Sequence, residues 1–551
     1  MNLSDPRPLH RLGQQIKNQG SNLSPQTLDW LMQRVGSRWY PRHLEQAACF
    51  LRNHLGDSPF YLYGAGSHSA ALLKELRGDP ILKQLRGFLD GHAEPGRQLD
   101  GYSVFPSRHA LDDTEPLIVL SHHEFEDSMR RDLLALGVPP ERIQPIYADD
   151  RYGAAAMAVC MAQLLPTIAA LPKNRRILFV SARPRRIVDE DVVNRLRQMF
   201  PGQYIHLRMD RGLVNPSGAF DVELNAHNGL SLCLHLIEQL DPDLIYVQEH
   251  YSSGNFLPLL VGLAFPDQTV IAEFYDFLGL TFDDPYVLTR ESYWRADDVT
   301  LALESERWCA ANLYGLVTKE DGEALDEYLA DARVLKFQPT PDHAGFKYKN
   351  SGPNDPIRLV WAGTIAPSRL SSVMFGDNQL IDVFRILLEA GFHVTAFTSC
   401  SDDSALANDY GDYLELARDY PLFMKTRIPR DELISVLARD FDFGLMIGIP
   451  KPDTQQGVSH KVTVPGKLQT YIAANLPTIT GAYLEVMAKV ISENGLGLVV
   501  DHNCIRDLPQ MIAQIDYNTL VENIRQYRRA QDPEQAVRDL AGFLSDGISS
   551  T

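Results

Sequence analysis

The sequence predicts an α/β protein of three successive strand–helix modules, and three observations carry that prediction. Apolar, β-branched and aromatic runs alternate with amphipathic ones, as in "FYLYGAGSHSAALLKEL", "RRILFVSARPRRIVDEDVVNRLRQMF" and "IRLVWAGTI" followed by "DNQLIDVFRILLEAGF". The alternation is broken by an uncharged stretch, Gly153 to Pro172, and by the polar "DHAGFKYKNSGPNDP", which has the composition of a linker. A chain of 551 residues, 44% of them hydrophobic, can also build several cores.

Residues 1–55 show helical spacing in "LDWLMQRV" and "HLEQAACFLRNHL" and carry no recognisable chemistry, so a helical cap is expected. Residues 56–150 form a small Rossmann-like module. Its first strand runs into Gly64-Ala65-Gly66 and then a helix, and "GFLD", "PLIVLSHHEFEDSMRRDLLALGV" and "IQPIYADD" continue the pattern. Gly64 and Gly66 would let a phosphate approach a helix N-terminus and mark a second candidate nucleotide site. The third glycine of a dinucleotide fingerprint is replaced by Ser69, and both glycines serve a tight turn equally well. His122 and His123 follow the strand "LIVLS" and read as surface-loop histidines.

Residues 151–174 read as a packed connecting helix, with a peripheral membrane contact left open, because the run is long enough for a span yet is interrupted by Gln163 and Pro166. Residues 175–345 and 346–515 each repeat the strand–helix alternation, and two such domains in succession imply a cleft between them. Amphipathic helices over 516–551 are expected to pack back across both sheets.

A net charge of -19 and the lack of a basic run argue against a nucleic-acid partner. The six cysteines are dispersed, with no CxxC pair and no histidine clustering, so a reducing compartment and no zinc site are expected. The N-terminus "MNLSDPRPLHRLGQQ" lacks an apolar signal core, and a cytoplasmic protein is expected.

The order of these phrases resembles that of retaining glycosyltransferases of the GT-B fold, of the group 1 type. The resemblance covers roughly residues 175–530 and rests on "IRLVWAGTI", "RIPRDELISVLARDFDFGLMIG" and "PGKLQTYIAANLPTITGAYLEVMAKVISENGLGLVV", with "DPDLIYVQEH" and "TVIAEFYDFLG" in the preceding half. It implies two facing Rossmann-like domains, here preceded by the extra module and the cap. The "YGAG" and "LDG" phrases of that module resemble small domains beside sugar-modifying enzymes.

The implied activity moves a sugar from a nucleotide-sugar donor to a glycan, lipid-linked or protein acceptor. It uses the nucleotide-sugar as co-substrate, with no resident cofactor and no metal; consistently, no DxD motif ends a strand. Such transfer needs positive charge and amide donors at the departing phosphate. The resemblance points to the amides after Gly363, to Thr364, Arg369, Lys461 and Lys467, and to Thr470 toward the donor ribose.

On the acceptor side, His250, Glu249, Asp276 and Glu273 end strands expected to face the cleft, and a carboxylate or neutral imidazole there could take a hydroxyl proton. Ser181 and Arg183 stand where the family's first loop meets ligand. The chain departs from the family at several of these places. Thr364 replaces an Arg, Val462 and Thr470 replace a pair of Glu, and Tyr275 replaces a His. A non-catalytic nucleotide-sugar or glycan-binding relative, a GT-B-fold epimerase and a Rossmann oxidoreductase are the alternatives.

Overall fold

The structure, a computed structural model, describes residues 12–13, 16, 23–36, 38–91, 93–122, 126–182, 187–209, 218–249, 256–292, 294–330, 332–338, 353–455, 457–464, 466–532 and 534–549. Among these residues the strands form three sheets, and the predicted α/β class with its three modules is what is found.

The first sheet contains β1 (Phe60–Tyr63), β2 (Leu85–Asp90), β3 (Gln98–Leu99), β4 (Tyr102–Pro106), β5 (Leu117–Leu120) and β6 (Ile143–Gln144) in the order β3-β4-β2-β1-β5-β6. Every pairing in it is parallel except β3 with β4. The second contains β7 (Arg176–Ser181), β8 (Gln203–Arg208), β9 (Val222–Asn225), β10 (Leu244–Glu249), β11 (Val270–Phe274), β12 (Gly315–Thr318) and β13 (Val334–Lys336), ordered β13-β12-β11-β10-β7-β8-β9 and fully parallel. The third contains β14 (Arg358–Ala362), β15 (His393–Phe397), β16 (Leu422–Lys425), β17 (Phe443–Met446), β18 (Thr478–Gly481) and β19 (Gly497–Val500). It is also parallel, in the order β16-β15-β14-β17-β18-β19.

Helices cover both faces of the second and third sheets, so β8, β10, β11, β14 and β18 are buried almost throughout. The second and third domains meet at the carboxyl edges of their sheets, the GT-B arrangement. The short helix Gly457–Val462 of the third domain packs against Leu278–Thr281 and Glu323–Tyr328, which follow β11 and β12. Among the described residues, backbone bonds fasten the junction: Asp283 N–H donates to the Gln455 carbonyl at 2.6 Å, and Asp321 N–H to the Val462 carbonyl at 2.9 Å.

The helix Gln535–Ser549 returns to the second domain, where it packs on Glu190–Met199 and buries Phe543 beside Gly315. The N-terminal segment docks on the same domain. The amides of Leu230 and Ser231, which open the helix Leu230–Leu240, donate to the carbonyls of Arg38 and Trp39 at 2.9 and 2.8 Å. The connecting helix Asp150–Ala169 is long and apolar enough to cross a membrane by length and composition, but it buries Tyr152, Ala156, Met157, Cys160, Met161 and Ile168 against the protein.

Candidate functional site

In an open parallel sheet, ligands bind beyond the carboxyl ends of the strands, where the strand order reverses. In the third domain that point lies between β14 and β17. The two strands pair only at Leu359–Phe443 and Val360–Gly444 and then diverge. Tyr471, on the helix Gly466–Ala473, fills the gap between them. Its hydroxyl accepts from Ala362 N–H at 2.9 Å and lies 3.2 Å from the carbonyls of Val360 and Leu445.

Gly444 lacks a Cβ where one would strike the Tyr471 ring, at 2.6 Å from Cδ2. The helix therefore sits directly on the switch point, held by buried Leu468, Tyr471 and Ile472. It ends where Asn475 turns into the left-handed region (φ 52°) before Leu476-Pro477. Tyr471→Phe keeps the packing and strands the Ala362 amide. Chemical denaturation is expected to show a loss of about 1–3 kcal/mol, with a matching loss of ligand affinity.

This placement brings Lys467 to the mouth of the switch point. Its ammonium lies 3.5 Å from the centroid of the Trp361 ring, at the end of β14. Gly363 turns next to it with φ 152°, and a Cβ there would come within 3.0 Å of Lys467 Cδ. Burial pushes the Lys467 ammonium down to about 7, with Asp377 pulling the other way. Among the described residues Lys467 has no hydrogen bond and no carboxylate within ion-pair distance. A half-buried cation without a counter-ion among the described residues, at a helix front and beside glycine backbone, is a seat for an anion.

The Asp377 carboxylate, near enough to act on Lys467, lies 3.1 Å from His460 Nε2, and His460 packs edge-on against Tyr483 with ring centroids 4.9 Å apart. Gly448, just past β17, lets the Asp377 backbone and the Tyr483 hydroxyl close in. Trp361, Asp377, His460, Tyr471 and Tyr483 were not among the residues expected from sequence. Trp361 alone had a local signal, as the aromatic residue ending the strand before Gly363.

The other donor-side residues are placed differently. The Gly363 amide donates to Phe397 O at 3.1 Å, and the Thr364 carbonyl accepts from Trp361 Nε1 at 3.3 Å. Arg369 is exposed and engaged by Asp409 at 2.8 Å. Lys461 is exposed, 4.0 Å from Glu485. The Thr470 hydroxyl donates to Gly466 O at 3.0 Å, one turn back in its own helix.

Across the cleft, Asp276 follows β11 and is paired at 2.7 Å with Lys319, which follows β12. Lys319 lies 4.7 Å from the Tyr275 ring centroid and 3.9 Å from Glu320. Glu320 is 1% exposed; burial pushes its carboxyl up to about 8, against the pull of Lys319. Glu249 ends β10 and is buried, while His250 and Arg183 lie outside the described residues.

The expectation for Glu273 is corrected. Its carboxylate points into the domain and accepts from the amides of Ile187 and Val188, Tyr246 Oη and Gln248 Nε2 at 2.6–3.1 Å, so it braces the loop after β7. Ser181 is likewise internal, donating to Gln248 Oε1 at 2.6 Å.

In the first domain, Gly64 has φ 103° and carries the tight turn, and Gly66 precedes the helix Ser67–Glu75. Asp90, at the end of β2, accepts from Ala65 N–H at 3.1 Å, and Arg97 donates to the Ala65 carbonyl at 2.7 Å. A dinucleotide site of this kind would offer that acidic residue to a ribose. Here it is engaged with the turn itself.

A family model described as "Glucosyltransferase 3-like, C-terminal domain" matches residues 401–533, which hold His460, Lys467, Tyr471 and Tyr483. The third domain is similar to that family. No curated protein sequence matches the chain. Among solved structures, the Anabaena protein HepE in complex with UDP and glucose is 11% identical, covers 68% of this chain and 100% of its own, and has a TM-score of 0.45. A glycosyltransferase from Rickettsia africae is 12% identical over 69% of this chain and 100% of its own, with a TM-score of 0.45. A trehalose-6-phosphate protein from E. coli bound with UDP-2-fluoro glucose is 13% identical over 68% and 99%, with a TM-score of 0.42.

Proposed function

We propose that the chain is a glycosyltransferase that moves a hexosyl group from a nucleotide-sugar to a hydroxyl of a glycan, lipid-linked or protein acceptor, working in the cytoplasm without a resident metal. The observation that carries this reading is Lys467: a cation without a counter-ion on Trp361, at the switch point of the sheet that lines the interdomain cleft. In the transfer the bond from the anomeric carbon to the diphosphate oxygen breaks and a bond to the acceptor oxygen forms. Negative charge grows on the diphosphate, and Lys467 with the front of its helix is placed to meet it. The incoming hydroxyl gives up its proton as its oxygen bonds the anomeric carbon, and we assign acceptance of that proton to Asp276, which Lys319 holds. The retaining outcome and the group 1 assignment rest on the resemblance in sequence.

A second reading, a binding protein without turnover, is favoured by Val462 and Thr470 at the places where related enzymes carry Glu, and by the engagement of the Thr470 hydroxyl within its helix. Incubation with radiolabelled UDP-, GDP-, ADP-, dTDP- and CMP-sugars separates the two. Release of free sugar or its transfer, from at least one donor, is expected of the transferase. Saturable binding with no product in any of the five would remove the catalytic reading.

A further inference from the structure

The donor cluster is asymmetric, and with a nucleotide-sugar seated at the switch point, as proposed above, that asymmetry constrains the sugar end of the ligand. Lys467 and Asp377 carry opposite charges and feel each other, yet they are held apart beyond ion-pair distance. Had Asp377 been there to neutralise the lysine, a direct pair would have formed and held the ammonium in its usual range. Asp377 is turned elsewhere instead. One of its oxygens, Oδ2, is fixed 3.1 Å from His460 Nε2, and the edge-on packing against Tyr483 limits how far His460 can swing. The Asn378 side-chain amide lies 3.3 Å from both Oδ1 and Oδ2, which leaves acceptor capacity on Oδ1.

A cation and a carboxylate that feel each other without pairing, the carboxylate aligned by His460, fit a ligand that is anionic at one end and rich in hydroxyl donors at the other. A carboxylate accepts strong hydrogen bonds from hydroxyls and repels another carboxylate at the same place. We propose that Asp377, oriented by His460, reads the donor sugar: it binds the hydroxyls of a neutral hexosyl group and turns away sugars that carry an acidic group. Asp377 is the ligand contact, and His460 is a positioning residue that acts through it.

The test is calorimetry on the full chain with UDP, UDP-glucose and UDP-glucuronate, run in parallel with GDP, GDP-mannose and GDP-mannuronate. Wild-type protein is expected to bind the neutral conjugate at least about tenfold more tightly than the uronate, since a desolvated like-charge contact opposes the latter. Asp377→Asn is expected to keep the affinity for the bare diphosphate within about twofold and to lose about tenfold for the neutral conjugate, narrowing the gap to the uronate. His460→Gln is expected to show a smaller loss of the same kind, confined to the sugar conjugates, which a merely structural histidine would not produce. Should Asp377→Asn fail to fold, His460→Gln and the wild-type discrimination decide the matter.

Equal changes for bare and conjugated diphosphate in the variants, or a wild type that takes uronate as readily as hexose, would overturn the proposal and leave the donor site standing. A wild type that binds none of the bare diphosphates sinks both.

Discussion

Replacing Lys467 by methionine is expected to weaken binding of a nucleoside diphosphate by about ten- to a hundredfold, the range for losing one charge-assisted contact to a phosphate. The side chain lies along Trp361 and Gly363, and methionine keeps most of that apolar contact while removing the ammonium. Folding should therefore survive. The unliganded variant is expected to melt close to wild type, because the partial desolvation of the ammonium and its cation–π contact with Trp361 oppose each other. Loss of nucleotide affinity without loss of melting temperature separates a binding residue from a structural one. Unchanged nucleotide affinity by calorimetry would remove Lys467 from the site.

The second large effect is on pH. In the free protein, burial brings the Lys467 ammonium down to about 7, so above that value the empty site is increasingly neutral. A bound phosphate favours the charged form and raises its proton affinity. Between the free and the bound values, ligand binding must take up a proton. Affinity is then expected to be nearly flat just below pH 7 and to fall by about tenfold per pH unit above it. Asp377, which acts electrostatically on Lys467, and its neighbours His460 and Tyr483 are also titratable, and the lysine variant identifies the source of the slope. Lys467→Met should bind weakly with no decline above pH 7, and calorimetry in buffers of different ionisation enthalpy should show proton uptake in the wild type alone. A wild-type affinity that holds constant from pH 7 to 9 would contradict the placement of the lysine.

The alternation of strands and helices was legible because each module repeats one physical unit: an apolar strand buried on both faces, a glycine or polar turn, and an amphipathic helix. Lys467 was legible through the resemblance, and its place at the front of a short helix that ends at Asn475-Leu476-Pro477 agrees with that reading. The partners of Lys467 were not. Trp361, Asp377, His460 and Tyr483 come from separate segments, and only the convergence of strand ends at the switch point brings them together.

Glu273 shows a different obstacle. In a parallel sheet covered on both faces, hydrophobicity does not alternate, so the sequence carries no mark of which way a strand-end carboxylate turns. Glu273 turns inward to hold two backbone amides, whereas Asp276, three residues on and past the strand, meets Lys319 at the cleft. Thr470 does lie on the expected helix, but its hydroxyl bonds within that helix, a choice between neighbouring acceptors that spacing cannot reveal.

The most direct test of the central claim is a crystal structure of the full chain with the nucleoside diphosphate that most raises its melting temperature. The prediction is a phosphate oxygen within hydrogen-bond reach of Lys467 Nζ, between the ends of β14 and β17, with the Gly64–Gly66 turn unoccupied. A nucleotide seated on that turn instead, or a saturated crystal with the switch point of the third domain empty, would contradict it.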